Sequence, residues 1–306
     1  MKTALLCSGQ GSQYVGMMKD LAEKSEKAKK IIADADSILD YPLSSICWEG
    51  PIDKLKQTRY TQPALFVHSA VVFELIKDKV EFHGVAGHSV GEYAALYANG
   101  VLSFEDALRL VSLRGQLMFT AGEDLPGTMF AVINLDDDKV YKVCEELTAK
   151  GNGNVVVPAN FNSPGQVVVS GSAEYLRENI GAFKEAGAKL VKELVVSGAF
   201  HSPLMKPAQE ELEKAIKSIE FKDSKVPVYS NVYAKPLTEA NVIQAALVAQ
   251  LTAPVLWTQS LRAMKEDGFT KFIELGAGSV LQGLVKRTVE NVEILGVDKA
   301  EDLDKF

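Results

Sequence analysis

The sequence predicts an α/β protein made of one large domain with a mostly parallel sheet and a smaller domain inserted into it. Three observations lead there. Short apolar runs alternate with capped, helix-like stretches along most of the chain. One such run ends in a Gly-x-Ser-x-Gly turn that opens a helix, and between Gly127 and Val196 the rhythm changes to one richer in strands.

Taken in order, Thr3–Cys7 is read as the first buried strand, followed by the glycine-bearing loop Gly9-Gln10-Gly11-Ser12-Gln13. Thr61-Gln62-Pro63 opens a helix through Leu65, His68, Val72 and Leu75. The run His83-Gly84-Val85-Ala86 leads into Gly87-His88-Ser89-Val90-Gly91 and then the helical stretch Glu92–Ala98. This is the strand, tight turn and helix of a nucleophile elbow, which makes the large domain α/β-hydrolase-like. Ser103–Ala121 is a helix with Ser103 at the N-cap and Asp106 three residues on. Beyond residue 196, Ser202-Pro203 starts the helix Leu204–Ile219; Val226–Ser230 and Lys271–Leu275 are strands, and helices occupy Ile243–Gln250 and the stretch from Ser279.

The inserted segment reads strand by strand. Met129–Leu135 alternates, Asp136–Lys150 is an acid-capped helix, and Val155–Phe161 is a strand. The turn Asn162-Ser163-Pro164-Gly165 leads into Gln166–Ser170; Ser172 caps a helix through Phe183, and Lys189–Val196 closes the unit. The order βαββαβ is ferredoxin-like. The expected division is therefore 1–126 with 197–306 as the large catalytic domain, and 127–196 as the small one.

The 306 residues are 47% hydrophobic and 24% charged, with a net charge of −7 and no long basic run, which argues against a nucleic-acid partner. Cys7, Cys47 and Cys144 are odd in number and widely spaced, so neither a disulfide framework nor a zinc site is expected, and a reducing cytoplasm fits. The apolar stretch at the N-terminus stops before Gly9 and is too short for an export signal, and no run is long enough to cross a bilayer.

Ser89 is the candidate nucleophile, and a serine hydroxyl needs a base. Of four histidines, His68 lies within a helix as a packed or surface side chain, His83 has no distinguishing context, and His88 points away from its neighbour Ser89 and reads as structural. His201 ends the inserted unit just before a helix start, where the positive end of the helix dipole keeps an imidazole neutral and fit to act as a base. The amides of Gln10 and Val90, on loops that follow strand ends at one sheet edge, are candidates for an oxyanion hole. A phosphate loop is the rival reading for Gly9–Gln13, but the expected Gly-Lys-Ser/Thr ending is missing. On the helix Ser103–Ala121, Arg109, Gln116 and Thr120 share a polar face, whereas Arg114 lies about 140° away among apolar residues. An inward arginine needs an anion: either a buried Asp or Glu of the protein, or a substrate carboxylate gripped by its planar fork.

Gly-Gln-Gly-Ser-Gln at 9–13, Gly-His-Ser-Val-Gly-Glu at 87–92, Asn-Phe-Asn-Ser-Pro-Gly-Gln at 160–166 and Ala-Phe-His-Ser-Pro-Leu-Met at 199–205 together resemble the malonyl-CoA:acyl carrier protein transacylases of fatty acid and polyketide synthesis. The resemblance spans nearly the whole chain. It implies ping-pong transfer of a malonyl group from malonyl-CoA to the phosphopantetheine thiol of acyl carrier protein, with Ser89 acylated and His201 as base. It further implies that the main-chain carbonyl of Gln250 orients the histidine, that Arg114 pairs with the malonyl carboxylate, and that Gln10 and Val90 supply the oxyanion amides. Phe200 matches the malonyl-selective form of its motif. No cofactor or metal is implied, and a monomer is expected. Lys189, Lys192, Lys286 and Arg287 are candidate contacts for the acidic carrier or the CoA phosphates. The sequence departs from the family at Ser8 and Ala277, both usually proline, and at Val90, more often leucine; Ser8 is expected to loosen the Gln10 loop. A thioester hydrolase, a trans-acting polyketide synthase acyltransferase and a non-catalytic carrier-binding module are the other readings. Arg114 argues against the first, since a hydrolase of neutral acyl groups has no use for an inward cation.

Overall fold

In the computed structural model, which describes residues 2–306, the strands are β1 (Lys2–Cys7), β2 (Gly84–Gly87), β3 (Gly127–Ile133), β4 (Val156–Ser163), β5 (Gln166–Ser172), β6 (Leu190–Glu193), β7 (Val228–Tyr229), β8 (Pro236–Leu237), β9 (Phe269–Leu275) and β10 (Glu293–Val297). They form a six-stranded sheet in the order β10-β9-β1-β2-β7-β8 and a four-stranded sheet in the order β4-β5-β3-β6. All pairings in the first are parallel except β7 with β8, and all in the second are antiparallel. Parallel strands need helical crossovers that cover both faces. Accordingly, alternate residues of β1 enter two different cores: Leu5 and Cys7 pack with the helices Thr58–Ile76 and Phe104–Asp124, while Ala4 and Leu6 face Trp257, Leu261 and Leu284. The small sheet buries Phe130, Val132, Phe161, Val167 and Val169 against its own helices.

Several elements differ from expectation for identifiable reasons. The helix expected to open at Thr61 begins at Thr58 and carries Pro63 inside it. Packing overrides the proline there, because Gly115 lets the Phe104–Asp124 helix approach so closely that a Cβ would stand 2.9 Å from the Thr58 carbonyl. Ser172 sits at the N-cap of the next helix, but its hydroxyl accepts from the Val155 amide instead of a helix N–H, and the helix breaks at Ile180 into Ala173–Asn179 and Gly181–Glu185, where glycine weakens helix continuation. Asn162 and Ser163 belong to β4, so the hairpin turn is Pro164-Gly165 alone, with Gly165 at φ 71°. The strand expected over 189–196 is confined to β6 because β3 pairs with it only through Phe130–Ile133. Ser202 caps a single 3-10 turn, Pro203–Met205, before the helix Lys206–Lys217.

The two sheets meet beside the elbow. Phe161 N donates to Val255 O and Val255 N to Ala159 O, and Thr258 Oγ1 donates to Phe161 O. These bonds fix β4 against the start of the helix Trp257–Glu266, so the small sheet roofs the carboxyl ends of β1 and β2. No helix among the described residues is long and apolar enough to cross a membrane.

Candidate active site

β2 ends in Gly87, and Ser89 follows in the left-handed region at φ 52°. For a non-glycine residue that conformation costs about 1–2 kcal/mol, so something must hold it. Asn231 does so from both sides: its Oδ1 accepts from Ser89 N at 2.8 Å and its Nδ2 donates to Gly87 O at 2.8 Å. Glycine is required at both ends of the turn. A Cβ on Gly87 would lie 2.0 Å from the Gly91 backbone, and one on Gly91 would lie 2.2 Å from the Cys7 carbonyl. The elbow is therefore wedged directly against β1, with Ser89 lifted off the sheet.

His201, also left-handed at φ 55°, meets the serine: His201 Nε2 lies 2.8 Å from Ser89 Oγ. On the other side of the ring, Nδ1 is 2.9 Å from the main-chain carbonyl of Gln250. A carbonyl only accepts, so Nδ1 carries the hydrogen and Nε2 is left as acceptor for the serine hydroxyl. Burial, reinforced by the Arg114 guanidinium, pushes the His201 pKa down to about 3. The imidazole is thus neutral as expected, but the cause is desolvation and a neighbouring cation rather than the short turn that follows it.

Arg114 is fully buried. Its Nη1 donates to Gln62 Oε1 at 2.7 Å, and its Nη2 donates to Ser89 Oγ and to Gln250 Oε1, each at 3.0 Å. Its Nε has no partner, and the guanidinium forms no ion pair among the described residues. Of the two readings open in the sequence, a buried protein carboxylate in contact with Arg114 is thus not found. Glu92 acts on it from further away and is itself buried; desolvation pushes the Glu92 carboxyl up to about 7 against the pull of the Gln250 amide, the Asn231 main chain and Arg114.

Among the described residues, neither the Gln10 nor the Val90 amide donates to a protein acceptor. The Gln10 side chain is tied down, its Nε2 donating to Thr58 Oγ1, which in turn bonds Ser197 Oγ. Ser8 does not leave its loop free: its hydroxyl reaches Glu274 Oε1 and Leu275 O, each at 3.3 Å, and the Glu274 carboxylate accepts the Leu281 and Gln282 amides. His88 is structural, with Nε2 2.8 Å from Asn162 Oδ1 and its ring edge-on to Trp257. His68 is packed and bonds the Asp298 carbonyl, and His83 Nδ1 accepts from Thr3 N.

A cleft of about 150 Å³ opens over Ser89 and His201, walled by Gln10, Met118, Met129, Leu194 and Phe200. Gln10, His88 and Asn162 also line a second cleft that runs to Gln166 and Leu284. Arg287 stands at that end, 3.4 Å from Gln166 Oε1, and Lys286 is exposed beside it. Lys189 and Lys192 are exposed on and beside β6 and line neither cleft. Sequence reasoning missed three residues that build the site: Gln62, Asn231 and Glu92. Glu92 had a signal, since it directly follows the elbow glycine in a position that buries it. Asn231 directly follows the expected strand Val226–Ser230 but carries no pattern that marks it as a partner of the elbow, and Gln62 reads as part of a helix start.

A family model described as an acyl transferase domain matches residues 4–303. The chain is similar to the malonyl CoA-acyl carrier protein transacylases of Staphylococcus aureus strain MRSA252, 40% identical over 99% of this chain and 97% of the relative, and of Bacillus subtilis strain 168, 41% identical over 99% and 95%. Among solved structures, an acyl carrier protein S-malonyltransferase from Vibrio cholerae superposes with TM-score 0.94 at 41% identity, covering 100% of this chain and 99% of that one. The complex PlMCAT:AntF, a type II PKS acyl-carrier protein with its malonyl-transacylase, matches with TM-score 0.95 at 39% identity, covering 100% and 98%. With this match along its whole length, the chain belongs to the acyl transferase domain family.

Proposed function

We propose that this protein moves a malonyl group from malonyl-CoA to the phosphopantetheine thiol of acyl carrier protein through a malonyl-Ser89 ester. One observation carries the reading: a buried guanidinium without a counter-ion stands 3.0 Å from the hydroxyl of a serine that also contacts a neutral histidine. A cation buried without an anion is costly, and a substrate carboxylate supplies the missing charge.

In the first half-reaction the malonyl carboxylate pairs with Arg114. Ser89 Oγ attacks the thioester carbonyl while His201 Nε2 takes the hydroxyl proton, and the Gln10 and Val90 amides stabilise the oxyanion. The C–S bond then breaks, and the CoA thiolate leaves with the proton from His201. In the second half-reaction the carrier thiol gives its proton to His201 and its sulfur attacks the ester carbonyl; as the C–O bond breaks, His201 returns the proton to Ser89 Oγ. The Gln250 carbonyl orients the imidazole throughout. Residues 127–196 act as a small domain that roofs the cleft, and Lys286 and Arg287 flank its far end, where the phosphates of CoA or of the carrier's arm are placed. Three buried, unpaired cysteines suit a reducing cytoplasm.

Intact-protein mass spectrometry after mixing with malonyl-CoA, acetyl-CoA or methylmalonyl-CoA tests this reading. A malonyl adduct that is absent from Ser89→Ala and is discharged by holo-acyl carrier protein supports it. Release of free malonate at the same rate without any carrier would establish a hydrolase instead, and equal labelling by malonyl and acetyl groups would remove the role given to Arg114.

A further inference from the structure

The Gln250 side chain stands at the centre of the site. Its Nε2 donates to Glu92 Oε2 at 2.6 Å and to Ser89 O at 3.1 Å, and its Oε1 accepts from Arg114 Nη2 at 3.0 Å. Its main-chain carbonyl holds His201. The two ends of a carboxamide have nearly the same shape, so packing alone does not decide which end faces which neighbour. Arg114 has only donors and an ionised carboxylate only acceptors, so the two together leave one allowed orientation. A flipped amide would turn its NH2 towards the guanidinium and its oxygen towards the carboxylate. Arg114 alone does not settle the matter, because it has other acceptors in Gln62 and Ser89. The Ser89 carbonyl and Asn231 Oδ1 also face Nε2, but at 3.1 and 3.4 Å, so the charge-assisted 2.6 Å bond to Glu92 is the strongest of the constraints on the amide.

We propose that Glu92 is a positioning residue for acyl selection: by accepting from Gln250 Nε2 it locks the amide with Oε1 towards Arg114, and so holds the guanidinium where a substrate carboxylate must meet it beside Ser89. This rests on the reading of Arg114 as the malonyl anchor. Glu92 is almost wholly buried on the helix Gly91–Ala98 and does not itself line the cleft, so its carboxylate acts through Gln250 and not on the substrate. The groups that face or act on it are the Gln250 and Asn231 amides, the Arg114 cation and Tyr93 on its own helix, whose phenol burial pushes far up. Of the ionisable groups among these, only Glu92 changes charge near neutrality.

The experiment compares the second-order rates of Ser89 acylation by malonyl-CoA and acetyl-CoA in the native protein, Glu92→Met, Glu92→Gln and Arg114→Met. Glu92→Met lowers the malonyl-to-acetyl ratio about tenfold or more, the scale of one hydrogen bond to a charged group. Glu92→Gln carries a donor beside its acceptor, as protonated Glu92 does, so it permits the flipped amide and lowers the ratio at about pH 8 to about the level the native protein reaches at about pH 6. In the native protein the ratio also falls between about pH 8 and pH 6, as protonated Glu92 gains a donor and allows the flipped amide, while in Glu92→Gln it stays flat. This pH readout stands even if the methionine variant does not fold. A ratio unchanged in Glu92→Met, both rates falling in parallel, or the same pH profile in native and Glu92→Gln would each overturn the proposal. If Arg114→Met kept the malonyl preference, the Arg114 reading itself would fail; if Arg114→Met lost it while Glu92→Met kept it, only the role of Glu92 would.

Discussion

Arg114→Met removes the cation and leaves a side chain of similar reach. A carboxylate gripped by the guanidinium gains two charge-assisted hydrogen bonds, each contributing about 1.5–3 kcal/mol, so the variant loses roughly 3–6 kcal/mol of binding to the malonyl group. Because those bonds persist from the bound thioester through the transition state, kcat/KM for malonyl-CoA falls by about 10²–10⁴. Acetyl-CoA has no carboxylate to lose and follows no such drop. Stability moves little. Burying a guanidinium without an ion pair costs several kcal/mol that the methionine avoids, while Gln62 Oε1 and Gln250 Oε1 each lose a donor at about 1–3 kcal/mol. The opposing effects leave a net change within about 2 kcal/mol, or several degrees in Tm. Stopped acylation read by mass spectrometry with both thioesters, together with thermal unfolding, checks both halves. A loss below tenfold for malonyl-CoA, or an equal loss for acetyl-CoA, would refute the assignment and make Arg114 a support for the Ser89 hydroxyl.

Asn231→Leu leaves Ser89 N–H and Gly87 C=O buried without partners, which destabilises the fold by about 2–6 kcal/mol in chemical denaturation and slows acylation by every thioester alike, since it releases the left-handed turn rather than the carboxylate anchor. Glu92→Gln raises Tm at alkaline pH. The folded carboxyl sits at about 7 against an ordinary 4.5, so its contribution is fully present below 4.5 and is lost as pH rises through 7, a deficit of ~3 kcal/mol that the amide does not suffer. The His201 imidazole stays neutral at pH 5 in the free protein, and its pKa rises once a malonyl carboxylate offsets Arg114; nitrogen NMR of the ring before and after malonylation reads both, and an imidazolium signal at pH 5 in the free protein would contradict the geometry.

Local rules made the elbow legible. A glycine pair around Ser89, a strand before it and a helix after it need only a short window, and the inward placement of Arg114 follows from helical periodicity over one element. Ser103 capping the Asp106 amide is equally local. What the sequence hides is the set of neutral amides that connect these parts. Gln62, Asn231 and Gln250 come from three separate elements, and their partners lie 52, 142 or 144, and 136 residues away. No periodicity marks a polar residue whose hydrogen bonds are all long-range. The broken helix at Gly181 and the truncated β6 escaped for a related reason: edge elements end where a neighbour stops pairing, and pairing is a property of the sheet rather than of the strand.

On the proposed assignment, the weakness of the base is itself part of the selectivity. A carboxylate behind an imidazole would stabilise imidazolium; a carbonyl does so far less, and burial with Arg114 opposes it further. Such a base suits sulfur. A thiol with an ordinary pKa of about 8.5 gives up its proton readily, and the corresponding thiolate leaves without needing full protonation, whereas water at about 15.7 needs a much stronger acceptor. The malonyl-serine ester is therefore better matched to attack by a carrier thiol than by water. The same guanidinium that weakens the free base is neutralised by the malonyl carboxylate, so His201 gains basicity while the diacid is bound. An acetyl group leaves Arg114 uncompensated and His201 at its weakest. Selection of the acyl group and activation of the serine thus depend on one buried charge.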